Sequence, residues 1–84
     1  IRQGEQVMNY TIATTKEVHG NLCLNIDKNG NEYSVGLFNE VTKEYTHRSF
    51  KTIDDALTVY KTLVELIVKG YGTEEDKRNV LKGE

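Results

Sequence analysis

Apolar residues between positions 53 and 67 recur at spacings of three and four, which is the pattern of an amphipathic helix. They are Ile53, Ala56, Leu57, Tyr60, Leu63, Val64 and Ile67. Thr52 is a suitable N-cap residue, and Gly70 can adopt the left-handed conformation that ends a helix. Asp54 and Asp55 near the start and Lys69 near the end complement the helix dipole. The pattern predicts one long helix within the stretch 52–72.

This helix has more apolar surface than a sheet alone can cover. Val59 and Leu66 widen the apolar arc to about 200°, whereas an ordinary core-facing stripe spans roughly 100°. Three explanations stay open: the C-terminal tail folds over this edge, the edge is simply part exposed, or it is a surface for a dimer or a protein partner. In the third case the partner-binding residues are Val59, Leu63 and Leu66.

The chain before the helix alternates apolar and polar side chains in four runs, as half-buried β-strands do. The fourth run, 45–50, is more polar than the others. The apolar positions of the first three runs are Met8, Tyr10, Ile12, Leu22, Leu24, Ile26, Tyr33, Val35 and Leu37. Short polar segments separate the runs, and one of them, DKNGN at 27–31, is a strong hairpin signal. Strands with such short connections predict an antiparallel meander.

The predicted fold is therefore α+β: a four-stranded antiparallel β-meander with one long C-terminal helix packed on one face, plus a short terminal helix over 74–81. Thr73 and Asp76 have the capping-box spacing for that second helix. We expect 1–7 to be a flexible N-terminal arm and 8–84 a single domain. The predicted core is Tyr10, Ile12, Leu22, Leu24, Ile26, Tyr33, Val35, Leu37, Phe50, Ala56, Leu57, Tyr60, Leu63, Val64 and Ile67.

Composition narrows the function classes. The 84 residues carry a net charge of −2, which gives no overall attraction to nucleic acid or anionic lipid. A chain of this length has one small core and little interior for a deep active site. No apolar run approaches the roughly 18 residues of a membrane span, and the single cysteine, Cys23, favours a reducing compartment. We therefore expect a cytoplasmic protein with no membrane partner.

The residues that could carry chemistry are few and scattered. The segment 27–31 looks like the start of a calcium-binding loop, but Glu32 and Phe38 stand where such a loop needs glycine and glutamate. The soft metal ligands are His19, Cys23 and His47, whereas a structural zinc site needs four at paired spacings. A nucleophilic thiol needs an activating base nearby, and His47 could lie on the same face of the sheet as Cys23. We expect no catalytic residue, no cofactor and no metal site.

The face of the sheet opposite the helix is the best remaining candidate surface. If Phe50 is buried under the helix, Tyr45 and His47 point outward. The basic residues of this region are Lys43, His47, Arg48 and Lys51. Aromatic and basic side chains on an open sheet can stack on and hold single-stranded nucleic acid. The residues of this alternative site are Tyr45, His47, Arg48 and Lys51.

Residues 49–57 and the later Lys69-Gly70-Tyr71 resemble the end of WGR domains, which close a small sheet with a similar helix and often contact nucleic acid. The chain contains no tryptophan, so the Trp-Gly-Arg signature itself is missing. The resemblance covers a minor part of the chain. It implies only that nucleic acid stays among the candidate partners.

Two function hypotheses result from these surfaces. The first is a small non-enzymatic interaction module that associates with itself, as a homodimer, or with a protein partner through the wide apolar arc of the helix. The alternative is single-stranded nucleic-acid binding through the open face of the sheet, using the aromatic and basic residues of the fourth strand.

Overall fold

The computed structural model describes residues 9–83, which form four strands and two helices in an α+β fold. The strands pair in chain order and every neighbouring pair is antiparallel, as the sequence predicts. The elements are β1 (Asn9–Lys16), β2 (Leu22–Asn29), β3 (Glu32–Asn39), β4 (Tyr45–Phe50), α1 (Ile53–Lys69) and α2 (Glu74–Lys82). Met8 and the predicted arm 1–7 lie outside the described residues.

Both helices lie on one face of the sheet, and the core lies between the two layers. α1 packs mainly on β2 and β3, while α2 packs beside α1 over β3 and β4. The buried hydrophobic residues are Leu22, Leu24, Ile26, Val35, Leu37, Phe50, Ala56, Tyr60, Leu63, Ile67 and Leu81. Tyr33, Leu57 and Val64 were predicted in the core and lie half-buried at its edge. No helix within residues 9–83 is long and apolar enough to cross a membrane.

The bounds of α1 follow from its capping residues. The Thr52 side chain accepts a hydrogen bond from the backbone N–H of Asp55, which satisfies one of the free donors at the helix start. Gly70 has φ 71°, and its N–H returns to the carbonyls of Leu66 and Ile67. The i,i+4 pair Glu65–Lys69 forms on the exposed side at 2.9 Å. These contacts confirm the predicted start and end of the helix.

The short helix α2 is a full part of the core. Thr73 and Asp76 form the reciprocal capping box that their spacing predicts. Leu81 is fully buried against the core, and Val80 packs beside it. Because α2 contacts α1 on the β4 side of the molecule, the C-terminal tail does cover one edge of the wide apolar arc. Val59 and Leu66 on that edge are half-buried.

The predicted alternation of β1 was wrong from Ile12 onward. The register with β2 shifts between Thr11 and Ala13, so Ile12 is an extra, bulged residue. The bulge reverses the alternation, and Ala13 and Thr15, opposite Ile26 and Leu24, face the helices instead. Ile12 is 39% exposed. A bulge leaves no reliable signal in an alternating apolar–polar pattern. The predicted alternation that starts at Met8 therefore ran through Ile12 without a break.

Tyr10 was also predicted in the core and is 51% exposed. It pairs with Lys28 on the helix side of the sheet, but α1 does not reach this end of β1. The helix starts beside β4, where Asp55 and Val59 line a pocket with Phe50. It ends beside the β1–β2 turn. The oblique path of α1 therefore leaves the first half of β1 uncovered on its helix side.

Candidate functional site

The structure divides the four predicted nucleic-acid-binding residues between two faces. Tyr45 and His47 pair with Phe38 and Gly36 on the outer face of the sheet. Arg48 pairs with the core residue Val35 and therefore lies on the helix side. Lys51 is exposed in the connection that follows β4. The four side chains consequently do not form one continuous basic surface.

The outer face carries a cluster of three aromatic rings, Phe38, Tyr45 and His47, called here the aromatic platform. The rings of Tyr45 and His47 stack with centroids 5.3 Å apart and an interplanar angle of 18°. Phe38 meets Tyr45 edge-on at 6.4 Å. The ammonium group of Lys43 lies 5.9 Å from the Phe38 ring. Such exposed rings offer π-faces on which a planar group can stack.

Gly36 allows Tyr45 to lie flat against the sheet. A Cβ atom at position 36 would sit 2.6 Å from the Tyr45 hydroxyl oxygen, so any side chain there would push the ring away. Burial raises the pKa of Tyr45, and the nearby carboxylate of Asp27 raises this pKa further. Asp27 accepts a hydrogen bond from Asn25 through Oδ2, while its buried Oδ1 has no hydrogen-bond partner among the described residues. A carboxylate on this face disfavours phosphate groups beside it.

A second surface is an apolar groove between α1 and β1, called here the α1–β1 groove. Thr15, Tyr60, Val64 and Val68 line it, and the hydroxyl groups of Thr15 and Tyr60 lie 2.8 Å apart at its base. Val68 is 72% exposed although it lies on the apolar arc of the helix. Ile67, Val68 and Val18 continue this surface towards the β1–β2 turn. Within residues 9–83 no element covers this edge of α1.

The predicted partner-binding residues lie on the other edge of α1. Leu63 is fully buried in the core, so a partner cannot reach its side chain in this conformation. Val59 and Leu66 are half-buried beside it. The involvement of Val59 and Leu66 in partner binding stays a prediction. The sequence does contain a signal for the other, exposed edge, because Val68 extends the apolar arc of α1 on that side.

Arg78 and Glu74 form a buried polar network that sequence reasoning missed. The three guanidinium nitrogens of Arg78 donate to the Leu37 and Glu44 carbonyls, the Thr46 hydroxyl and the Glu74 carboxylate. Asn39 donates to the second Glu74 oxygen. The hydrogen bond from Arg78 is the main reason that the pKa of Glu74 lies below its ordinary value of 4.5. Because each nitrogen of Arg78 already has partners within the fold, this network holds α2 to the sheet rather than offering a binding site.

The soft ligands do not converge. Cys23 pairs with Phe38 and His47 pairs with Gly36, so the whole of β3 separates the thiol from the imidazole. His19 lies exposed in the β1–β2 turn. Residues 9–83 hold no group of three or more histidine, cysteine, aspartate or glutamate side chains arranged to bind a metal ion. The segment 27–31 forms the β2–β3 hairpin, with Gly30 at φ 63°.

Comparison of the chain with protein-family models, curated proteins and solved structures finds no match. The similarity of residues 49–57 to the end of WGR domains therefore has no support from a family model.

Proposed function

We propose that this chain is a small non-enzymatic interaction module that associates with a second copy of itself through the α1–β1 groove. The observation that carries the proposal is the exposure of Val68 beside an uncovered strip of apolar side chains. Val18 extends that strip at the β1–β2 turn. Contiguous apolar surface with a polar rim is characteristic of protein–protein interaction sites.

The rim of the groove favours a second copy as the occupant. Lys61, Glu65 and Lys69 follow one another along the exposed edge of α1 with alternating charge. In a two-fold symmetric dimer the same patch meets itself in the opposite direction. An antiparallel copy of α1 can then place a lysine of one protomer near Glu65 of the other, while Val64 and Val68 pack in the centre. The charge pattern is therefore self-complementary.

Sedimentation of Val68→Glu tests this proposal. We expect the wild-type chain to associate increasingly with concentration, and Val68→Glu to sediment as a monomer because a charge replaces the central apolar contact. Thr62→Glu is the matched control, since it introduces the same negative charge on the solvent side of α1. Thermal unfolding should show both variants folded. A wild-type chain that stays monomeric at the highest attainable concentration contradicts the proposal.

Single-stranded nucleic acid is the second candidate partner, and the aromatic platform favours it. The test measures the anisotropy of a labelled oligothymidylate at low salt, with Tyr45→Ala compared against Tyr10→Ala. These two tyrosines are exposed to the same extent, 50% and 51%, but lie on opposite faces. Selective loss of binding in Tyr45→Ala would support base stacking on the platform. Absence of binding by the wild-type chain would remove this candidate.

A further inference from the structure

The strand β4 is an edge of the sheet with an unbroken ladder. Its six residues pair with β3 in continuous register, from Tyr33 opposite Phe50 to Phe38 opposite Tyr45. Among the described strands β4 has no second neighbour. The backbone groups on its outer side can therefore template a further strand.

The opposite edge is a poorer template. The bulge at Ile12 interrupts the ladder of β1 and twists its edge. Bulges of this kind are a common protection of edge strands against pairing. Of the two edges, β4 is consequently the one that is suited to accept an extended peptide.

The charged side chains between positions 43 and 51 are mostly basic: they are Lys43, Arg48 and Lys51, with Glu44 as the single acidic residue. His47 lies on the outer face, stacked on Tyr45, and Arg48 lies on the helix side with its guanidinium 4.9 Å from the centre of the Phe50 ring. Lys43 and Lys51 flank the strand. A ligand lying on one face would meet only half of these groups. An added strand alternates its side chains between the two faces, so it meets all of them.

The helix side of this edge also offers a place for a side chain. Arg48, Phe50, Thr58 and Val59 line a pocket there, together with Asp55 at the start of α1. The ring of Phe50 and the methyl groups of Val59 provide apolar walls. A peptide glutamate facing the helices would pack its stem on these walls and place its carboxylate beside Arg48, while its apolar neighbours face Tyr45 and His47 on the outer face.

We propose that the β4 edge binds an extended, acidic segment of a partner protein, which adds to the sheet as a fifth strand. Main-chain hydrogen bonds supply the affinity, and alternate apolar and acidic side chains supply the specificity. This surface is separate from the α1–β1 groove, and so the two proposals stand or fall independently.

A labelled octapeptide of alternating glutamate and valine is the probe, and the alternating lysine–valine peptide is its counterpart. We expect the acidic peptide to bind at low salt, to weaken as salt is added, and to shift the backbone amide resonances of residues 43–51. Arg48→Glu should weaken binding about tenfold or more through like-charge repulsion. Lys16→Glu, the same charge change on the far edge strand, should leave the affinity unchanged.

A third peptide separates strand addition from simple charge attraction without altering the protein. It carries the same side chains but is N-methylated at every residue, so it cannot donate to a ladder. We expect it to lose binding about as completely as the lysine peptide. Equal binding of the methylated and unmethylated peptides would overturn the proposal. Failure of the acidic peptide to bind, resonance shifts centred away from β4 and the start of α1, or tighter binding of an oligothymidylate of equal charge would overturn it as well.

Discussion

The two long edges of α1 are both apolar, but one is partly buried and the other is largely exposed. On one edge, Val59 and Leu66 are half-buried against the core, and α2 packs on α1 at this side of the molecule. On the other edge, Val64 and Val68 border the α1–β1 groove, and Val68 is largely exposed. Hydrophobicity alone does not distinguish the edges. The difference is that α2 brings Arg78, whose hydrogen bonds to β3, β4 and their connection fix a cover on one side only.

The largest loss of stability should come from truncating a buried side chain of α2, the helix that packs on one side of α1 only. Leu81→Ala on the α2 side should lower the free energy of unfolding by about 2–5 kcal/mol, because it leaves a cavity in a fully buried site. Urea titration measures the loss. A change below about 1 kcal/mol would mean that α2 is not docked as described.

Removing the guanidinium group should be the next largest effect. Arg78→Met keeps a similar volume but leaves the Leu37 carbonyl and the Thr46 hydroxyl without their donor. We expect a loss of about 1–3 kcal/mol in the same titration. Lys82→Met on the exposed side of α2 is the matched control and should stay within about 0.5 kcal/mol. Equal effects of the two substitutions would show that the hydrogen bonds of Arg78 add nothing to the free energy of unfolding.

The docking of α2 on the sheet should also contribute less stability at acid pH. The pKa of Glu74 is lower in the folded protein than in the unfolded chain, so the folded state binds fewer protons when this group titrates. Its contribution is present above the ordinary pKa of 4.5 and is lost as the pH falls through the lowered value. The stability difference between the wild type and Glu74→Gln should therefore shrink from neutral pH to about pH 3. A constant difference would contradict the assignment.

The smallest changes in stability should come from the exposed apolar side chains Val68 and Ile12. Val68→Thr and Ile12→Thr should each change the stability of the monomer by no more than about 0.5 kcal/mol, since both side chains are substantially exposed. Dilute urea titrations are needed so that self-association does not contribute. A loss above about 1 kcal/mol would place Ile12 in the core after all.

Periodicity and capping signals predicted most of this fold. The bounds of β4 and α1, the hairpin at 27–31 and the second capping box all depend on neighbouring residues, which a sequence shows directly. The bulge at Ile12 and the oblique path of α1 depend on how the layers meet. They moved Tyr10 and Ile12 from the predicted core to the surface.

The candidate surfaces were less predictable for the same reason. The sequence places Arg48 next to His47, but only the strand register sends them to opposite faces. The burial of Arg78 has no local signal, because its carbonyl and hydroxyl partners lie 32 to 41 positions earlier in the chain. The exposure of Val68 follows from the absence of a covering element among the described residues, which no local pattern records.

The long reach of Arg78 has a consequence for the order of folding. Its partners Leu37, Glu44 and Thr46 lie 32 to 41 positions earlier in the chain, so each of these contacts closes a long loop at an entropic cost. We therefore expect the docking of α2 to follow the pairing of the neighbouring strands, whose contacts are more local. Until α2 docks, both apolar edges of α1 are accessible to solvent.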